Sequence, residues 1–239
     1  MGPYDRTMAG QGSQVGTLRE KPLHAALKRW CARPGDRLEV AVEGFVVDVV
    51  RDDLLIVVQP KVFSSMKRKL VTLVTAGYRI RIVHPISLDT TIIKVDDAGQ
   101  VLGERRSPRH GHPTDLFAEL VSFPSLIEHP GLEIELVMVR DEQLRTHDPS
   151  KAWRRRGWVI VERRLIEVVD SMLIGGVEDL CDLLPTTLPP TFTTADLAVA
   201  MGRPRRIAQQ MAYCLRDAGG IRQVGKRGNA VEYERQWTR

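Results

Sequence analysis

The chain has 239 residues, of which 35 are Lys or Arg and 30 are Asp or Glu, so its formal net charge is +5. Its hydrophobic fraction of 43% and charged fraction of 27% are typical of a globular chain, and they exclude a disordered or collagen-like protein. No apolar run approaches the roughly 20 residues of a membrane-spanning helix. Three cysteines without metal-ligand spacing argue against a disulfide framework and a structural zinc site. We therefore expect a cytoplasmic protein.

The N-terminal segment predicts a disordered lead followed by a helix. Residues 1–16 are rich in Gly, Ser and Gln and lack the apolar segment of a signal peptide. Thr17 and Glu20 have the spacing of a capping box. Apolar residues then recur at helical spacing over residues 18–30, so a first helix is expected there.

Strands and a second helix are predicted next. Short runs rich in Val, Ile and Leu predict strands at residues 37–42, 44–50 and 54–59. Residues 62–77 carry apolar side chains on one helical face and end in Gly77, which predicts an amphipathic helix. Residues 78–85 alternate basic and apolar side chains and predict another strand. The order over residues 17–85 is thus helix, three strands, helix, strand.

The middle of the chain is less informative. Basic residues cluster at 105–109 and again at 154–156. Thr114 is expected to cap a short helix, and residues 132–140 are expected to form a strand. Residues 163–174 combine charged and apolar side chains in a pattern that we interpret as helical.

The positive charge is concentrated at the C-terminus. Residues 202–239 hold nine Arg or Lys and three Asp or Glu, a net charge of +6, whereas the remaining 201 residues carry −1. A proline- and threonine-rich linker is predicted at residues 185–193. This asymmetry predicts an anion-binding module at the end of the chain.

Two helices and a hairpin are predicted in this module. Thr194 is expected to cap the first helix, Gly202 to form the turn, and Pro204 to begin the second helix. The buried face of the second helix is predicted to consist of Ile207, Met211, Cys214 and Leu215. A β-hairpin with its turn at residues 226–229 follows.

The polar residues of the module fall where a DNA-binding protein would need them. Arginine suits guanine and phosphate, and glutamine suits adenine. The candidate nucleic-acid-binding residues are Arg203, Arg205, Arg206, Gln209, Gln210, Lys226 and Arg227. The order of short helix, turn, longer helix and basic hairpin resembles the winged helix-turn-helix family over about residues 191–236. That resemblance implies binding of DNA, with double-stranded DNA as the expected partner. The alternative is a winged helix used for protein contacts or dimerisation.

The N-terminal order of elements supports a second resemblance. Residues 17–85 resemble the common core of the PD-(D/E)xK nuclease superfamily, a restriction-endonuclease-like fold. The resemblance implies a metal-binding Glu on the first helix, which would be Glu20, and an Asp in the second strand, which would be Asp48. In that family the carboxylates hold Mg²⁺, which generates the attacking hydroxide.

The third motif of that family is incomplete. Its (D/E)-x-K tripeptide falls at residues 57–59, where Val57 offers no oxygen to a metal and Gln59 stands in the place of Lys. Asp52, Asp53 or Lys61 would have to supply the missing groups. Otherwise Asp48 accepts a local hydrogen bond or pairs with a cation such as Arg81 and does no chemistry. A catalytic set of Glu20, Asp48 and Gln59 would therefore be degenerate.

We expect an α/β fold with a mixed, restriction-endonuclease-like sheet and a C-terminal winged helix. The expected segments are a lead at 1–16, the α/β domain with its middle extension at 17–184, the linker at 185–193 and the winged helix-turn-helix at 194–239. The favoured function is DNA binding by a chain whose nuclease-like core does not cleave. The alternatives are an active Mg²⁺-dependent endonuclease and an interaction scaffold that does not bind nucleic acid. A homodimer is compatible with the sequence, and no membrane partner is expected.

Overall fold

The computed structural model describes residues 21–60, 62–151 and 156–236. The helices are α1 (Pro22–Cys31), α2 (Lys67–Thr75), α3 (Phe117–Leu120), α4 (Val177–Cys181), α5 (Thr194–Met201) and α6 (Arg205–Asp217). Short 3-10 helices cover Phe63–Met66, Pro113–Leu116 and Pro124–Glu128. The strands are β1 (Arg37–Val42), β2 (Phe45–Arg51), β3 (Leu54–Val58), β4 (Arg79–Val95), β5 (Val101–Arg106), β6 (Leu132–His147), β7 (Trp158–Ile174), β8 (Thr191–Phe192), β9 (Ile221–Arg227) and β10 (Ala230–Arg235).

Seven of these strands form one large mixed sheet. Its order is β1-β2-β3-β4-β6-β7, and β5 pairs with the second half of β4. Neighbours β1, β2 and β3 are antiparallel, whereas β4 is parallel to both β3 and β6. The parallel β3–β4 pair requires a crossover, which α2 provides. The predicted mixed α/β class with a large mixed sheet is therefore confirmed.

Helices cover both faces of the sheet. Consecutive residues of β3 alternate between two cores, since Leu55 and Val57 join one and Leu54, Ile56 and Val58 join the other. The core with Ile56 also contains Leu23 and Leu27 of α1. The core with Val57 also contains Leu70 and Leu73 of α2. Thus α1 and α2 lie on opposite faces, and β3 is buried between them.

The helical prediction for residues 163–174 is wrong, because this segment belongs to β7. Three residues of β7, namely Val161, Ile166 and Val169, have no partner in the otherwise regular antiparallel register with β6. Such β-bulges each add one residue and break the alternation of apolar side chains. The apolar residues therefore recur at intervals of three and four, which resembles the pattern of a helix.

The C-terminal unit contains α5, α6 and a three-stranded sheet in the order β8-β10-β9. The cap of α5 is Thr193, whose Oγ1 accepts the backbone N–H of Asp196 at 3.3 Å, and not Thr194 as predicted. Gly202 ends α5 in the left-handed conformation (φ +60), and Pro204 directly precedes α6. The short strand β8 falls within the segment that the sequence predicted as linker.

The C-terminal unit shares a core with the large sheet. Ala208 and Met211 of α6 belong to the same buried cluster as Phe117 and Leu120 of α3. The thiol of Cys214 also points to the backbone oxygen of Phe117 at 3.9 Å. Because these side chains are enclosed together, α6 is fixed against the face of the sheet that carries α2.

Candidate nucleic-acid interface

One face of α6 is buried and the other is open to solvent. The four side chains predicted to be buried, those of Ile207, Met211, Cys214 and Leu215, are all at most 5% exposed. Ala208 and Ala212 are also buried, so the helix packs closely. The confirmed periodicity therefore determines which side chains face outward.

The outward face of α6 carries a row of polar and aromatic side chains. Arg206, Gln209, Tyr213 and Arg216 are all exposed and follow each other at spacings of three and four residues, so they form one stripe along the helix. The guanidinium of Arg216 lies 5.7 Å from the centre of the Tyr213 ring. We name these four residues the α6 stripe. Tyr213 and Arg216 are not among the candidate residues predicted from the sequence, although they follow Arg206 and Gln209 at helical spacing.

Two other predicted residues of α6 differ in their surroundings. Arg205 is exposed and lies in the first turn beside the stripe. Gln210 is only half-exposed, and its Oε1 is buried without a hydrogen-bond partner among the described residues. Arg205 is therefore available to a ligand, whereas Gln210 faces partly into the protein.

Arg203 is engaged within the protein. Its guanidinium forms an ion pair with Asp115, in the 3-10 helix Pro113–Leu116 of the middle segment. Its Nε is buried without a hydrogen-bond partner among the described residues. The side chain thus joins the turn before α6 to the body of the protein, a role that the sequence could not reveal.

Two cations lie beside the turn of the hairpin that follows α6, and they differ in their partners. Lys226 is exposed and forms no ion pair with any residue that the structure describes. Arg227 contacts Glu232 at 2.8 Å and Asp196 at 3.0 Å, and these interactions, led by the hydrogen bond with Glu232, raise its pKa. The pair with Asp196 ties the hairpin to the first turn of α5. Lys226 is consequently the predicted hairpin residue that is available for a phosphate.

The carboxylate of Asp48 is occupied by protein donors. Its Oδ2 accepts the backbone N–H of Val58 at 2.9 Å, and its Oδ1 lies 3.2 Å from Nε2 of His24 on α1. Burial raises the pKa of Asp48, but the hydrogen bonds and charge of His24 and the bond from Val58 outweigh it, so the pKa is lowered. The partner is His24 and not Arg81, which instead contacts Glu133 at 2.6 Å and Glu135 at 3.3 Å.

Gln59 and Val57 have structural contacts. The Gln59 side-chain amide donates to the Val62 carbonyl at 2.8 Å and to Ser65 Oγ at 3.0 Å. Its backbone oxygen lies 2.7 Å from Nδ1 of His84, whose pKa is lowered by burial. Val57 is 4% exposed and belongs to the core. These contacts hold the end of β3. The Gln59 amide is engaged with Val62 and Ser65, and the buried Val57 side chain has no oxygen, so neither completes a metal site with Asp48.

The remaining nuclease-type candidates contribute no further ligand to the described site. Glu20 and Lys61 lie outside the described residues. Asp52 and Asp53 are both exposed, and Asp53 lies 3.4 Å from Arg79. Over residues 21–60, 62–151 and 156–236, no group of three or more His, Cys, Asp or Glu side chains is arranged to hold a metal ion. Taken alone, the described residues around Asp48 do not fit Mg²⁺, which prefers several oxygen ligands.

An open pocket of about 180 Å³ lies beside His24, between α1 and β7. Its charged lining is mostly basic, with Arg163 held in place by the buried Asp141 at 2.5 Å. The lining residues are Lys21, Pro22, Leu23, His24, Pro60, Ile160, Val161, Glu162 and Arg163. Because α1 and α6 pack against opposite faces of the sheet, this pocket and the α6 stripe are on different sides of the molecule.

The segment from α1 to the end of β7 has a counterpart in a known family. A family model described as "Domain of unknown function (DUF8091)" matches residues 21–175. The chain belongs to the DUF8091 family. The matched segment contains the large sheet with Asp48 and ends before α4, so the α6 stripe lies beyond the DUF8091 match.

This DUF8091 chain also has a relative in Treponema pallidum. A protein of Treponema pallidum (strain Nichols), described as an uncharacterized protein, is 30% identical over 185 residues. The alignment covers 77% of this chain and 73% of the relative. No solved structure matches the chain. In the part of the chain that the structure describes, no helix has the length and apolar character needed to cross a membrane.

Proposed function

We propose that the protein binds double-stranded DNA and that α5, α6 and the β9–β10 hairpin act as a winged helix-turn-helix. The α6 stripe is the observation that carries this proposal. Arginine and glutamine side chains near the start of a helix can read guanine and adenine in the major groove. Further along the stripe, Tyr213 and Arg216 would face the sugar–phosphate backbone.

The arrangement around α6 supports the same proposal. The elements follow the order β8, α5, α6, β9, β10, in which the second of two helices precedes a hairpin. Lys226 is exposed near the hairpin turn at Gly228 (φ +62), where a wing would contact backbone phosphates. The exposed cations of α6 and the hairpin would thus face one duplex from two elements.

For the large sheet we propose a nuclease-like core that does not cleave DNA. The order α1, β1, β2, β3, α2, β4 is consistent with the PD-(D/E)xK resemblance. Against catalysis, both oxygens of Asp48 have protein partners and Val57 has no oxygen to offer a metal. In addition, α1 and α6 lie on opposite faces, so a duplex bound to α6 would not lie beside Asp48.

Removal of two cations from α6 tests the DNA-binding proposal. The variant Arg205→Ala/Arg206→Ala should bind duplex DNA about tenfold or more weakly, and its logarithmic salt dependence should fall by about 1 per lost phosphate contact. The matched control Arg29→Ala/Arg33→Ala removes the same charge from exposed positions of α1 and the segment after it. Because α1 lies on the opposite face of the sheet from α6, this variant should stay within about twofold of the natural chain. Fluorescence anisotropy at several salt concentrations measures both quantities. Equal affinity of the two variants, or no salt-dependent binding at all, would contradict the proposal and favour an interaction scaffold.

A cleavage assay tests the proposed inactivity of the sheet. Supercoiled plasmid incubated with the protein and Mg²⁺ or Mn²⁺ should remain intact, because the described residues present a single engaged carboxylate. Gel electrophoresis would detect nicked or linear products. Metal-dependent cleavage that Asp48→Ala abolishes would instead identify an active nuclease.

A further inference from the structure

A second group of exposed cations lies on β5 and in the loop after it. Arg105 and Arg106 end β5, and Arg109 follows three residues later. All three side chains are exposed and form no ion pair with any described residue. We name these residues the β5 arginines. Because none of these three cations pairs with a described acid, they create a local positive potential, although residues 1–201 together carry a net charge of only −1.

Backbone hydrogen bonds hold the β5 arginines against β4. The N–H of Ser107 donates to the oxygen of Thr90 at 2.8 Å, and the N–H of Gly111 donates to the oxygen of Ser87 at 2.7 Å. A Cβ atom on Gly111 would lie 2.5 Å from that Ser87 oxygen, so a side chain there would force the two segments apart. The loop that carries Arg109 is therefore fixed at both of its ends.

The same segment continues directly to α6. His112 caps the 3-10 helix Pro113–Leu116, and its backbone N–H donates to Asp115 Oδ2 at 3.0 Å. The other carboxylate oxygen of Asp115 pairs with Arg203, two residues before α6 begins. An unbroken series of contacts thus connects the β5 arginines to the N-terminal end of the α6 stripe.

The separation between the two groups suits a single duplex. Eight residues separate Ser107 from Asp115, so these two positions lie at most about 29 Å apart at roughly 3.6 Å per residue. One turn of B-DNA is about 34 Å long, so a duplex at α6 has backbone phosphates within reach of such a distance.

We infer that the β5 arginines bind backbone phosphates of the same duplex that α6 contacts, and that Arg203 is a positioning residue that fixes the two surfaces relative to each other. This inference rests on the proposed DNA binding by α6. The β5 contacts would contribute to affinity and its salt dependence but not to sequence specificity, because phosphate contacts carry no sequence information. It also removes Arg203 from the residues that touch DNA.

A triple substitution tests the phosphate contacts. Arg105→Ala/Arg106→Ala/Arg109→Ala should lower the slope of log affinity against log salt concentration by about 1 to 2. Each neutralised phosphate contributes about 0.9, and the adjacent side chains of Arg105 and Arg106 point to opposite sides of β5. The control Arg29→Ala/Arg33→Ala/Arg37→Ala removes the same charge from exposed positions at α1 and the start of β1 and should leave the slope unchanged. An unchanged slope in the first variant would overturn the inference while Arg205→Ala/Arg206→Ala still weakens binding. If neither the α6 variant nor the triple variant weakens binding, the proposed function itself fails.

Asp115→Asn tests the role of Arg203. If Arg203 positions the β5 arginines, weakening its ion pair should reduce affinity in the natural chain but have little further effect in the triple variant. If Arg203 contacted DNA directly, release from Asp115 would increase affinity, or the two effects would add. A double-mutant cycle on binding free energies distinguishes these results. Increased affinity or full additivity would overturn the positioning role.

Discussion

Asp48 has a catalytic interpretation in the sequence and a structural one in the fold, where protein groups occupy both of its carboxylate oxygens. In the sequence it is the acid within the run Val46-Val47-Asp48-Val49-Val50, and an acid in an apolar strand is unusual. In the structure the residue pairs of β2 and β3 end at Val49 and Ile56, and Asp48 accepts the N–H of Val58 just beyond them. The carboxylate therefore satisfies a backbone donor that strand pairing leaves open.

Replacement of Asp48 by Asn should separate these two interpretations. The pKa of Asp48 is lowered in the folded protein, so its ionised form stabilises the fold above the unfolded pKa near 3.8. This contribution is lost as the pH falls through the lower, folded pKa. We expect Asp48→Asn to lose about 1 kcal/mol of unfolding free energy at pH 7, and we expect the difference from the natural chain to shrink below about pH 4.

Denaturant unfolding between pH 3 and pH 7 measures this effect. Asp53→Asn is a suitable control, because Asp53 is exposed and its contact with Arg79 should be worth less than about 0.5 kcal/mol. A more stable Asp48→Asn protein at pH 7 would contradict a structural role. It would indicate that the carboxylate is retained at a cost in stability for some other purpose.

Ion pairs explain why the site could be predicted only in part. The exposure of Arg205, Arg206 and Gln209 follows from the local period of one helix, which the sequence contains. The engagement of Arg203 by Asp115 joins positions 88 residues apart, and no local pattern reports such a contact. Arg227 is similar, since its partner Asp196 lies 31 residues away on another element.

Among the helices and strands, local sequence patterns predicted the short ones better than the long strands. The bounds of β1 and the buried face of α6 agree with the sequence, because each depends on a regular local alternation or period. The strand predicted at residues 78–85 is part of the 17-residue β4, which continues to Val95. The β4 strand pairs with β6 along most of its length, and this non-local interaction stabilises it.

The wrong helical prediction for residues 163–174 of β7 also arises because non-local strand pairing is not visible in a local sequence pattern. This strand forms an edge of the large sheet, and its bulges place Val161, Ile166 and Val169 at exposed positions. Bulges are common at sheet edges, where they bend a strand and hinder pairing with another chain. The bulges of β7, which gave residues 163–174 a helix-like pattern, are therefore consistent with its position at the edge of the sheet.

The core that the C-terminal unit shares with the large sheet determines how the two sheets unfold. One continuous cluster contains Leu73 of α2, Phe117 of α3 and Met211 of α6. Side chains in a close-packed cluster lose contacts together when any one element leaves. We therefore expect the C-terminal unit and the large sheet to unfold in a single cooperative transition.

Met211→Ala tests this coupling from within the C-terminal unit. Met211 is fully buried, so its truncation should cost about 2 to 5 kcal/mol. In a Trp237→Phe background the remaining tryptophans all precede the C-terminal unit, and their fluorescence transition should shift by the same amount as the far-ultraviolet circular dichroism. The control Val199→Ala changes a residue of α5 that is 83% exposed and should shift neither signal. A tryptophan transition that stays in place while the circular dichroism changes in two steps would show that α6 folds independently of the sheet.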